Sequence, residues 1–66
     1  MRIFFKNHPL GDAEDTINNV MGVSFHKTLI AYKTDSGGEK QVIIHEDGTY
    51  QAFENSERYK LMYVVE

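Results

Sequence analysis

The sequence predicts an α+β domain in which a single short helix packs on a four- to five-stranded, mainly antiparallel sheet in the order β-α-β-β-β-β. Three observations predict it. Asp35-Ser36-Gly37-Gly38, Asp47-Gly48 and Asn55-Ser56-Glu57 separate short runs rich in β-branched and aromatic residues, which reads as three consecutive hairpins. Arg2–Lys6 carries Ile3, Phe4 and Phe5 and is closed by Asn7-His8-Pro9. Between these regions Ala13, Ile17, Val20 and Met21 recur at helical spacing. A small all-β barrel is the alternative fold.

The first strand is expected over Arg2–Lys6 and to stop before Pro9, which has no N–H for a ladder. Asp12 then suits an N-cap, Glu14 and Asp15 suit the positive end of a helix dipole, and Gly22 suits the C′ position. Thr16, Asn18 and Asn19 are poor helix formers, so this helix depends on tertiary packing. From Val23 onward the pattern is that of strands.

Turn lengths give a register. A two-residue Ser36-Gly37 loop, or a four-residue Asp35–Gly38 loop, sets Ala31 opposite Val42 and Leu29 opposite Ile44. A two-residue Asp47-Gly48 turn sets Val42 opposite Phe53 and Ile43 opposite Ala52. A three-residue loop at Asn55–Glu57 sets Phe53 opposite Tyr59. The face assigned to the core is then Leu29, Ala31, Val42, Ile44, Phe53, Tyr59, Leu61, Tyr63 and Val65, with Ile17, Val20 and Met21 covering it. The other face carries Ile30, Tyr32, Ile43, His45, Tyr50, Ala52, Met62 and Val64 and is too apolar for a plain solvated surface. It closes on itself as a small barrel, pairs with another copy, or receives a partner.

Sixty-six residues make one domain, residues 1–66, with room for a single core. There is no Cys, which excludes disulfides and thiolate zinc sites and fits a cytoplasmic location. With 41% hydrophobic and 26% charged residues, the composition is that of a folded domain rather than a disordered one. No apolar run approaches the roughly 18 residues that span a bilayer, so no membrane association is expected. The formal charge of −3 argues against binding dominated by phosphate neutralisation.

Residues with catalytic or ligating chemistry form no recognisable motif. His8, His26 and His45 lack the spacing that sets two imidazoles on one helix face, and read as ordinary strand or loop residues. Asp12, Glu14 and Asp15 do not match a calcium loop and are explained by capping. Ser36-Gly37-Gly38 with Lys40 is flanked by strands on both sides, unlike a phosphate-binding loop. No serine or threonine lies in a nucleophile-elbow context. The chain is therefore expected to be no enzyme, with no cofactor and no metal.

The expected function is a non-enzymatic protein-interaction module that regulates or inhibits another macromolecule. Its partner-binding residues are Tyr32, Ile43, His45, Tyr50 and Met62, which either bind a protein partner or join two copies as a homodimer. The runner-up is a single-stranded nucleic-acid-binding small β-barrel, with Tyr32 and Tyr50 stacking on bases and Lys60 contacting phosphate.

Overall fold

The computed structural model describes residues 1–66 and contains eight strands and no helix. These are β1 (Arg2–Lys6), β2 (Asp15–Ile17), β3 (Val20–Phe25), β4 (Leu29–Thr34), β5 (Glu39–Ile44), β6 (Tyr50–Gln51), β7 (Arg58–Tyr59) and β8 (Leu61–Val65). They form a three-stranded sheet in the order β2-β1-β8 and a five-stranded sheet in the order β3-β4-β5-β6-β7, every pair antiparallel. The helix-on-sheet arrangement is overturned, and the all-β alternative fits.

The two sheets share two bent strands. The chain passes from β2 to β3 through Asn18-Asn19, and from β7 to β8 through Lys60 alone. At the first corner Asn19 adopts φ 59°, a left-handed conformation that Asn tolerates better than most residues. At the second, the Lys60 amide donates to Asn7 Oδ1 at 3.1 Å. Following the pairings and the two chain corners leads from β1 around the molecule and back to β1, so the two sheets wrap into a small, partly open barrel. The first strand thus pairs on both of its sides.

Residues 12–22 follow the strand preference of Thr16, Ile17 and Val20 rather than the helical stripe. Ile17 lies opposite Ile3, and the Glu14 amide donates to the Phe5 carbonyl at 2.9 Å, so pairing with β1 satisfies backbone groups that a helix would have bonded internally. Gly22 is no helix cap. It follows a register shift between Val20 and Gly22, a bulge that helps to bend β3.

The predicted hairpin registers are corrected in turn. Ile30, not Ala31, lies opposite Val42, and Leu29 lies opposite Ile43. Ile43 lies opposite Gln51, not Ala52. At the second hairpin the His45 amide donates to the Thr49 carbonyl and the Gly48 amide to the His45 carbonyl, each at 2.9 Å, with Gly48 at φ 85°. This is a three-residue loop, a type I turn followed by a left-handed Gly, where a two-residue turn was expected. The first hairpin follows the same rule. Gly37 donates to the Thr34 carbonyl at 3.1 Å and has φ 83°. The third loop runs from Ala52 to Glu57, so Tyr59 faces Tyr50 rather than Phe53.

Each one-residue slip turns a strand over relative to its neighbour. The core is Ile3, Phe5, Ile17, Val20, Ile30, Tyr32, Val42, Ala52 and Tyr59, with Val23, Ile44, Tyr50, Met62 and Val64 packed against it. Relative to the expected faces, Val42, Ile44 and Tyr59 are inside as assigned, while Phe53, Tyr63 and Val65 are exposed. Most of the second face is the barrel interior. At its centre the Phe5 and Tyr59 rings lie 5.5 Å apart at 36°, a contact of the kind that adds about 0.5–1.5 kcal/mol beyond area burial.

Candidate functional site

Because Ile30, Tyr32, Val42, Ile44, Tyr50 and Ala52 turn inward, their neighbours in sequence turn outward. Leu29, Ile43 and Gln51 therefore form a row across β4, β5 and β6, Ile43 being the partner of both others. Beside it Gln41, Ile43, His45, Gln51, Ala52, Phe53 and Glu54 line a shallow groove of about 400 Å³. Ile43 is 40% exposed and Phe53 49% exposed. Two large apolar side chains this accessible in the lining of one groove, among Gln41, His45, Gln51 and Glu54, give it an apolar centre in a polar surround.

The groove is held by polar contacts rather than by packing alone. His45 Nε2 lies 2.8 Å from Gln51 Oε1, so with the amide in this orientation the imidazole donates. Gln51 Nε2 in turn donates to the Glu54 carbonyl at 2.8 Å. Phe53 is fixed by Ser56, whose Oγ accepts from the Phe53 amide at 3.1 Å and donates to the Phe53 carbonyl at 3.0 Å. The loop bearing Phe53 is tied to the strand bearing Ile43, so the two apolar groups are presented in a set geometry.

The five residues predicted to share one binding face are divided. Ile43 and His45 lie on this outer surface, His45 half-buried. Tyr32, 3% exposed, belongs to the core, and Tyr50 and Met62 pack against it from inside the barrel. Burial raises the Tyr32 hydroxyl above its ordinary pKa. Neither Tyr32 nor the half-buried Tyr50 offers an open ring face for a base.

A second outer surface was missed in the sequence. Ile3 and Phe5 point inward, so Arg2, Phe4 and Lys6 alternate on the outside of β1, and Phe4 lies opposite Tyr63 of β8. The Arg2 guanidinium sits 5.2 Å from the Phe4 ring centroid and the Lys6 ammonium 5.8 Å from that of Tyr63. The signal was the alternation Arg-x-Phe-x-Lys, which sorts cations and an aromatic onto one face of a strand.

Elsewhere, His8 and His26 are exposed, and no three His, Asp or Glu side chains form a group that could hold a metal ion. No helix is long and apolar enough to cross a membrane. No protein-family model, curated protein or solved structure matches the chain.

Proposed function

We propose that this protein is a non-enzymatic interaction module of the cytoplasm that docks a protein partner on the outer face of β4, β5 and β6 and thereby regulates or inhibits it. One observation carries the reading: Ile43 and Phe53 both stand exposed in the lining of one groove braced by the His45–Gln51–Glu54 hydrogen bonds. An apolar centre with a polar rim is the usual anatomy of a protein interface. A groove this shallow suits a protruding side chain better than an enclosed small molecule.

The test is comparative capture from the native host with wild-type protein, Ile43→Asp, Phe53→Asp and Tyr63→Ala. Both aspartates replace exposed groups, so the variants should unfold within about 1 kcal/mol of wild type. A partner held by wild type and Tyr63→Ala but lost from both aspartate variants supports the assignment. Equal capture by all four, or collapse of the fold in Ile43→Asp, overturns it.

The Arg2, Phe4, Lys6 and Tyr63 surface favours a second reading, single-stranded nucleic-acid binding. Aromatic rings interleaved with cations on a sheet stack bases while neutralising phosphates. That reading expects affinity for a short oligonucleotide that falls steeply with salt and is lost in Tyr63→Ala. No binding at low salt eliminates it.

A further inference from the structure

The hydrogen bonds fix which backbone groups β3 leaves unpaired. The His26 amide donates to the Leu29 carbonyl at 2.9 Å, so the antiparallel ladder points the N–H and C=O of Ser24 and Gly22 toward β4. Those of Val23 and Phe25 point the other way. β3 is the terminal strand of its sheet, and on that open side only Val20 finds a partner, exchanging bonds with Met1 at 2.9 and 3.0 Å. β1 starts there and runs away from the rest of β3. The span Met21–Phe25 is thus an open edge offering two donors and two acceptors.

The one bulge of this strand lies between Val20 and Gly22, before the Val23 and Phe25 groups that stand free, and the other usual protections are missing. Val20–Phe25 contains no charge and no proline, and Met21 is 70% and Phe25 66% exposed. The complement of such an edge is an extended strand with the same alternation of outward-pointing groups. β3 itself meets that requirement. Two copies laid antiparallel about a two-fold axis at Ser24 set Val23 opposite Phe25 and Phe25 opposite Val23, and the four free groups of each strand satisfy those of the other.

We infer that β3 is a self-association edge through which a second copy of this chain adds its own β3, making one continuous sheet across a two-fold axis at Ser24. The register pairs an aromatic with a β-branched side chain twice, a favourable cross-strand combination. On the opposite face it sets Ser24 against Ser24 and Gly22 against His26, so the imidazole meets a residue with no side chain. Charge is compatible as well. His26 falls opposite Gly22 and Lys27 opposite Met21, so no two charged side chains pair across the seam. The turn after His26 carries the chain back to β4, so each added strand ends before the Val20–Met1 bonds of its partner. Such an interface is isologous and closes at two subunits. It lies apart from Ile43 and Phe53, so this inference and the proposed partner surface stand or fall separately.

The absence of Cys permits a direct test. In the proposed register the two Ser24 residues form a non-hydrogen-bonded pair with Cα atoms about 4.5 Å apart, within disulfide range. Ser24→Cys under mild oxidation should give a covalent dimer much faster than Gln41→Cys, an exposed control on β5. In sedimentation equilibrium the wild-type chain should form dimers, and Phe25→Lys should weaken association by roughly tenfold while keeping the same circular dichroism. Two outcomes overturn the inference. One is a wild-type protein that stays monomeric at near-millimolar concentration, which leaves the edge to a strand of another protein. The other is crosslinking of Ser24→Cys no faster than that of Gln41→Cys.

Discussion

At the scale of single residues, the most consequential polar group outside the groove is Asp47. Its Oδ1 accepts from the Thr49 hydroxyl at 2.6 Å and the Thr49 amide at 3.0 Å, closing an Asx-type turn around Gly48. These two bonds hold the carboxyl below its ordinary pKa, with smaller help from Arg58 and His45. The ion pair with Arg58 is long, at 4.0 Å, and both side chains are largely exposed, so the hydrogen bonds dominate. A carboxyl with a depressed folded pKa stabilises the fold above its unfolded value, about 3.9, and loses that contribution as pH falls through the folded value. Thr49→Val should therefore be less stable than wild type at neutral pH, with the difference shrinking under acid. Urea unfolding between neutral and strongly acidic pH checks this, and an unchanged Asp47 titration in the variant contradicts it.

At the scale of elements, the hairpins decide which side chains are inside. The turn sites were legible because Asp, Ser and Gly cluster at them, and β1, β4, β5 and β8 lie where the β-branched and aromatic runs predict. Loop length was not legible. Asp47-Gly48 suits a two-residue turn, which needs positive φ at both residues, and equally a three-residue loop, which needs it only at the Gly. Gly48 at φ 85° is the single positive-φ residue of that loop, and the difference of one residue reverses the strand. Gly48→Ala should thus cost about 1–2 kcal/mol in chemical denaturation, even though no atom would crowd the new Cβ. Substitution by D-alanine should recover most of it, and equal losses for both enantiomers would rule out backbone conformation as the cause. The segment around Thr16 and Ile17 was misread for a related reason. Four apolar residues match a helical stripe, yet the neighbouring Asn18 and Asn19 mark the corner where the chain changes sheets.

At the scale of the molecule, closure turns two small sheets into one core. β1 sits between β2 and β8, a pairing of residues near the two ends of the chain that no local pattern encodes. Once the ring closes, the apolar face that looked uncovered becomes the interior, which explains why Tyr32, Tyr50 and Met62 left the candidate site while Ile43 and His45 stayed in it. What the barrel offers to other molecules is its outside: the Ile43–Phe53 groove, the Arg2–Phe4–Lys6 row and the open edge of β3. The direct test of this inside-out assignment is the broadening of side-chain NMR signals by a soluble paramagnetic gadolinium chelate. Strong broadening at Ile43 and Phe53, with Ile30, Tyr32 and Val42 protected, is the predicted result. Protection of Ile43 equal to that of Val42, or broadening at Tyr32, would contradict it.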